Sequence, residues 1–182
     1  GTSALLVISN GSVVTAANFL GSNGSKLDSS YGYSTKTVVT DEDTSLAVSS
    51  SFKFGASPCA QFFLTKGAYL NVTASASYIG SNSGNGVNHT NVYFEISDGA
   101  KCDINSLNLY FQQYSHHGTL AILNGGELNL TGNLLLNGNA QNLTNSGHSA
   151  TLFISNGIYC SPHVPYIGNS VSHYGSNGVV RI

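Results

Sequence analysis

Charge is the scarcest commodity in this chain of 182 residues: Asp, Glu, Lys and Arg together make up 8% of it, against about a quarter in an average globular domain. That scarcity excludes a disordered polyelectrolyte and a solvated helical domain. The formal net charge is −2, and the five Lys and the single Arg (Arg181) are spread along the chain. No basic stripe exists to neutralise several phosphates, so nucleic acid is not an expected partner. Met and Trp are absent and Pro occurs three times. No run of 18 apolar residues is present, so no membrane span is expected. The chain opens at Gly1 without a charged n-region, an apolar h-region or a cleavage site, which predicts a processed or excised segment.

What is present is small, neutral and apolar. Ser (27), Gly (21) and Asn (20) dominate the polar fraction, beside an apolar fraction of 41%. Ser, Asn and Gly are residues of turns and β edges. The length predicts one domain, residues 1–182, with enough chain to bury a sizeable core.

One pattern returns six times: apolar-x-apolar, two polar residues, a corner glycine, then apolar-x-apolar again. Leu6 and Ile8 precede Gly11; Phe62 and Leu64 precede Gly67; Phe94 and Ile96 precede Gly99. Leu120 and Ile122 precede Gly125, and Leu152 and Ile154 precede Gly157. In the second copy Val38 and Val39 precede an acidic corner, Asp41-Glu42-Asp43. Three residues beyond the corner glycines stand Val14, Leu70, Cys102, Leu128 and Cys160, all types that tolerate burial. Two further on come Ala16, Val72, Ile104 and Leu130, with Pro162 as the exception. Most copies close on a third apolar segment such as Phe19-Leu20-Gly21, Phe52-Lys53-Phe54-Gly55 or Tyr78-Ile79-Gly80.

The corner spacing averages about 29 residues, within the range of repeat architectures. The alternation has period 2, so the repeated segments are strands. Short strands, glycine corners and the lack of a 3.6-period segment predict an all-β parallel β-solenoid of about six coils, stacked about 4.8 Å apart. Both a three-faced right-handed β-helix and a flattened stack of β-arches satisfy the pattern. The alternative is an antiparallel β-sandwich, which also has many short strands between turn residues. A sandwich, however, does not require the same apolar offsets from a glycine in successive segments.

Segments such as Ala4 to Thr15 (ALLVISNGSVVT) and Thr119 to Leu130 (TLAILNGGELNL) resemble coils of autotransporter-type and pectate-lyase-like surface β-helices. As a small Gly/Ser/Asn-rich β-repeat subunit with Cys, the chain is also similar to amyloid-like sheath or filament proteins of microbial cell envelopes. The first resemblance implies a surface β-helix and covers nearly the whole chain, but its motif is structural and names no activity.

Gly178 to Ile182 read as the opening strand of a seventh coil, and neither end shows an amphipathic cap. Uncapped coils expose unpaired backbone groups and an apolar cross-section. Two expectations follow: a fragment of a longer passenger-like protein, or subunits that pair edge to edge. Heterologous pairing of that kind runs on into a filament or tube when it does not close.

The three cysteines show no C-x-x-C spacing, and His116-His117 cannot form a zinc site alone, so no metal or cofactor is expected. Cys102 and Cys160 share an inward offset in coils separated by the Leu128 coil, so their Cα atoms are expected about 9–10 Å apart. A disulfide needs less than about 7 Å. Cys59, Cys102 and Cys160 are therefore candidates for intermolecular crosslinks in an oxidising extracellular setting, with small idle thiols as the plainer reading. Six sequons, at Asn10, Asn23, Asn71, Asn88, Asn129 and Asn142, are glycosylation acceptors wherever the cell performs that chemistry.

An enzyme on this fold needs clustered carboxylates. Only Asp41-Glu42-Asp43 cluster, and in an extended strand Asp41 and Asp43 would share a face. Glu95, Asp98 and Asp103 gather in sequence near Lys101, but Asp98 holds the turn position of Asn10, Asn124 and Asn156, where Asn and Asp serve the backbone. No G-x-S-x-G occurs, and His89, His148, His163 and His173 stand singly in polar segments. No catalytic residues are assigned and a non-enzyme is expected. Tyr31, Tyr33, Tyr110, Tyr114 and Tyr174 are the contact candidates. The sequence therefore points to an extracellular structural protein that self-associates through its β edges into a cell-envelope polymer. An adhesin segment binding surface glycans is the alternative, and a polysaccharide-active enzyme the third reading.

Overall fold

The computed structural model of the chain describes residues 4–21, 34–55, 59–74, 77–80, 92–105, 108–111, 117–136, 149–163, 166–167 and 177–181. The first repeat gives β1 (Ala4–Ile8) and β2 (Val13–Leu20), and the second gives β3 (Ser34–Thr40) and the long β4 (Ser45–Phe54). The third gives β5 (Cys59–Thr65), β6 (Tyr69–Val72) and β7 (Ser77–Ile79), and the fourth β8 (Val92–Ile96), β9 (Lys101–Ile104) and β10 (Asn108–Phe111). Then come β11 (His117–Leu123), β12 (Glu127–Leu130) and β13 (Asn133–Leu136), followed by β14 (Ser149–Ser155), β15 (Ile158–Cys160) and β16 (Tyr166–Ile167). β17 (Asn177–Arg181) is the last.

These strands form two sheets, and every pairing among the described residues is parallel. The first sheet runs β1-β3-β5-β8-β11-β14-β17; the second runs β15-β12-β9-β6-β4-β7-β10-β13-β16, with β2 also paired to β4. An antiparallel sandwich is thereby excluded. Each repeat sends its first strand to one sheet and the segment after its corner to the other. The second and third apolar segments are one continuous strand in β2 and in β4 but two strands in later repeats.

The corners explain the crossover. Asn10, Lys66, Asp98 and Asn124 have φ of 58°, 54°, 54° and 49°, and the glycines after them, Gly11, Gly67, Gly99 and Gly125, have φ of 71° to 81°. Two successive positive φ values closed by an i to i+3 bond, as from the Ala68 N–H to the Thr65 carbonyl at 3.2 Å, make a type I′ turn. Asn and Asp tolerate this region, and glycine enters it at no steric cost. The same dipeptides usually close hairpins. Here the flanking strands pair with equivalents in neighbouring repeats instead of with each other, so the turn carries the chain between sheets.

Two corners depart from the pattern. At Asp41-Glu42-Asp43 the corner is one residue longer, with Asp41 and Asp43 both at positive φ (79° and 63°), so the acidic segment is a turn, as its corner position predicts, and not the extended strand in which the two would share a face. At Asn156-Gly157 the corner is one residue shorter, and Gly157 lacks the positive φ of the other corner glycines. A Cβ at Gly157 would sit 2.6 Å from the Ile122 carbonyl oxygen, so close backbone approach is what requires glycine there.

The core lies between the sheets. Ile8, Val39, Leu64, Ile96 and Ile122 are level in the first sheet, as are Leu46, Leu70, Cys102 and Leu128 in the second. Phe62 and Phe94 stack at 4.5 Å, near the strand spacing, and Phe19 stacks on Phe52 at 5.3 Å. The edge of the Phe54 ring meets Phe62 at 5.4 Å, joining the aromatic columns of the two sheets.

Phe62 is fully buried, whereas its neighbour Phe63 points outward and is half-buried. Phe62→Ala should cost about 3–5 kcal/mol in denaturant unfolding, through lost burial and the cavity left behind. Phe63→Ala should cost about 1 kcal/mol. Equal costs would contradict this register.

Candidate interaction site

Among the described residues the most exposed apolar side chains lie on β1, β2 and β15. Among the described residues seven large hydrophobics are exposed, and five of them, Leu5 (66%), Leu6 (44%), Val7 (52%), Val13 (72%) and Leu20 (54%), belong to β1 and β2. The other two, Phe153 and Ile158, lie on β14 and β15. Leu6 is level with buried Thr37 and thus faces inward, yet β1 pairs only with β3 and β2 only with β4, so nothing described covers it. A cavity of about 380 Å³, lined by Leu5, Leu6, Phe19, Leu20 and Thr35 among others, opens between these edge strands.

The outer face of the second sheet carries the main polar network. The Tyr69 hydroxyl donates to Asp103 Oδ2 at 2.7 Å, and Asn129 Nδ2 donates to Asp103 Oδ1 at 2.8 Å and to Glu127 Oε1 at 2.6 Å. Lys101 Nζ lies 3.7 Å from Glu127 and 3.9 Å from Asp103. Half-exposed pairs of this kind contribute about 0–1 kcal/mol each. Burial, then the hydrogen bond to Asp103 and its charge, push the Tyr69 phenol up to about 12. The network was legible in principle, because Tyr69, Lys101 and Glu127 share one offset from their corners and Asn71, Asp103 and Asn129 another.

Of the carboxylates, Asp103 and Glu127 are brought together through Asn129 and Lys101, whereas the acids that gather in sequence around Asp98 are not. Glu95 projects from the first sheet and Asp103 from the second, so the corner between them puts them on opposite outer faces. Asp98 is exposed in its turn, where its Oδ1 accepts from Asn124 Nδ2 at 3.4 Å. In the acidic corner, Asp41 accepts from the Asn10 N–H at 3.3 Å and lies 3.9 Å from Lys66 Nζ. Among the described residues no group of three or more His, Cys, Asp or Glu could hold a metal ion, and no helix is long and apolar enough to cross a membrane.

The cysteines separate by environment. Cys102 is a wholly buried member of the second sheet's aliphatic column, which withdraws it from any crosslink between chains. Cys160 is exposed; the shorter corner places Tyr159, not Cys160, level with Leu128 and turns Cys160 outward beside Asn129. The expected shared inward offset of Cys102 and Cys160 is therefore corrected, and both thiols are free. Cys59 pairs through its backbone with Ser34. Its side chain lies outside the described residues.

Of the sequons, Asn10 is exposed in its turn, and Asn129 is tied into the Asp103 network. Asn71 borders a groove of about 300 Å³ with Thr15, Ala47, Ser49 and Thr73, and its Oδ1 is buried with no described partner. Asn23, Asn88 and Asn142 lie outside the described residues, as do Tyr31, Tyr33, Tyr114, Tyr174, His89, His116, His148 and His173 and the side chains of Tyr110 and His117. His163 is exposed. No family model matches the chain, and no curated protein or solved structure is detectably similar to it.

Burial, then the charge of Asp103, push the Cys102 thiol well above its ordinary value. In a Cys59→Ser background, alkylation of native protein should modify Cys160 quickly and Cys102 only on unfolding; rapid labelling of both would overturn this placement. The raised Tyr69 phenol contributes stability that is complete below its unfolded value of 10 and is lost as pH rises through about 12. Relative to Tyr69→Phe, the native protein should therefore lose unfolding free energy across that interval. Parallel pH profiles for the two proteins would refute the assignment.

Proposed function

We propose that the chain is an extracellular structural β-solenoid of about six coils, whose activity is self-association edge to edge into a cell-envelope polymer such as a sheath, filament or surface layer. The observation that carries this reading is that, among the described residues, six of the seven exposed large hydrophobics lie on β1, β2 and β15, at the extremes of the described pairings, and the seventh, Phe153, lies one strand in, on β14. An edge strand offers a row of unpaired N–H and C=O groups to any strand of matching sense. In a parallel stack the opposite edge of a second copy supplies that sense, so the contact is heterologous and open-ended. β1 and β2 carry no charged residue and no proline, the usual devices that blunt an edge. Exposed Cys160, on the edge strand β15, is the thiol placed to crosslink such a contact under oxidising conditions.

A glycan-binding adhesin segment is the second reading. The ordered set of Tyr69, Asp103 and Asn129 on one outer face favours it. Electron microscopy of purified protein separates the two. Ordered filaments or tubes are expected, and Leu6→Lys, which puts a charge on the inward face of the edge, should abolish them while leaving the circular dichroism and melting temperature of the dispersed protein unchanged. Native protein that stays dispersed as short rods, or Leu6→Lys protein that polymerises as well as the native chain, would sink the polymer.

A further inference from the structure

At its β1–β8 end the outer face of the first sheet carries more apolar and aromatic side chains than a solvent-facing sheet normally presents, beside a polar column that includes Thr40 and Thr65. One of its columns runs Val7, Val38, Phe63, Glu95, Ala121, Phe153 and Arg181, and the column beside it Leu5, Lys36, Gln61, Tyr93, Thr119, Thr151 and Val179. Lys36, Glu95 and Arg181 are the charged residues of the two columns, and Arg181 is three strands away from Glu95. Lys36 Nζ sits 4.7 Å from the centroid of Phe63, whose ring lies 5.7 Å from that of Tyr93. Glu95 accepts from the Tyr93 hydroxyl at 2.7 Å and from Ser97 Oγ at 2.8 Å. Burial, then the hydrogen bond to Glu95 and its charge, hold the Tyr93 phenol far above its ordinary value.

Neither charge has an ionic partner among the described residues: the ion pairs join Lys66 to Asp41, and Lys101 to Asp103 and Glu127. Glu95 is half-buried among aromatic and aliphatic neighbours, each of its oxygens holding one donor with acceptor capacity to spare. Lys36 is exposed, anchored only over an aromatic ring. The two lie on strands separated only by β5, within one small patch.

We propose that this face is a lateral contact between two copies of the chain, in which Lys36 of each copy meets Glu95 of the other across a two-fold axis, with Phe63 and Tyr93 packed around the pair. A single patch bearing one cation and one anion on an otherwise apolar ground is complementary to itself, which is the requirement of an isologous contact. Apolar surroundings strengthen the attraction relative to water, and the aromatic rings supply desolvated contact area. The contact uses a face and not an edge. It therefore goes beyond edge-to-edge growth and does not depend on it, joining coils side by side where edge pairing would extend them.

The test uses full-length Leu6→Lys protein, so that length and lateral association are read separately. Sedimentation equilibrium should show a reversible dimer that weakens as salt is raised. Lys36→Glu and Glu95→Lys should each weaken it about tenfold or more, and the double exchange, Lys36→Glu with Glu95→Lys, should restore it to within about threefold. Because Glu95→Lys also removes the acceptor of Tyr93 and Ser97, Glu95→Gln is measured beside it and should weaken the dimer without lowering the melting temperature. A protein that stays monomeric at high concentration, a dimer indifferent to both single exchanges, or a folded double exchange that fails to recover would each overturn the proposal. Native protein that forms no filaments but whose Leu6→Lys form still dimerises would remove edge growth and leave the lateral contact standing.

Discussion

Parallel in-register stacking is the constraint on which the other features depend. Each strand position sits about 4.8 Å from its equivalents in the strands on either side, so a residue's chemistry must be compatible with the same position one repeat away. Charge shows the rule most clearly. Lys36 stands between Leu5 and Gln61, Lys53 between Leu20 and Tyr78, and Glu95 between Phe63 and Ala121. Lys101 stands between Tyr69 and Glu127, and Asp103 between two asparagines, Asn71 and Asn129. No like charges are vertical neighbours at any of these positions. The low charge content is thus a condition of the stacking itself, and the few charges present are spaced by neutral or opposite ones.

The same constraint turns corners into a ladder. The Gly67 N–H donates to the Asp98 carbonyl at 3.0 Å, Gly99 donates to Asn124 at 3.3 Å, and Gly125 donates to Asn156. Each turn therefore satisfies a backbone donor of its neighbour, which a buried or crowded corner requires. Where the acidic corner is longer, the ladder is maintained by a side chain: the Gly11 N–H donates to Thr44 Oγ1 at 2.9 Å. Lys66 occupies a left-handed position that favours Asn or Gly, and its ammonium next to Asp41 offsets part of that conformational cost.

Much of this was legible in the amino-acid order because the stacking constraint writes itself as a period. The offsets from Gly67, Gly99 and Gly125 located Leu70, Cys102 and Leu128 in the core, and the turn role of Asn10, Asp98, Asn124 and Asn156 is met by all four. What failed was counting through a corner of unequal length. One residue fewer at Asn156-Gly157 changes the parity of everything that follows, so Cys160 turns outward and Tyr159 inward. Proximity in sequence does not become proximity in space at Glu95 and Asp103, since a four-residue corner separates two outer faces. The Tyr69–Asp103–Asn129 network spans three repeats, and its members come together only when equal offsets from successive corners are aligned.

Stacking of this kind has no internal reason to stop, and that is why the edges matter more than any pocket. An inner strand such as β8 has partners on both sides and buries every alternate residue, whereas β1 has one described partner and leaves even its inward Leu6 exposed. Natural sheets blunt such edges with lysine, proline or a bulge. Among the described residues the one irregularity at this extreme is the register shift between Ala16 and Asn18; its extra residue lies on β4, which advances three positions from Val48 to Ser51 where β2 advances two, and Val13 and Leu20 stay exposed on either side. A bulge there bends the strand and locally increases its twist. The bulged strand is the inner β4, so β2 follows its bend as a partner and carries no charge, proline or extra residue of its own to blunt its outer side.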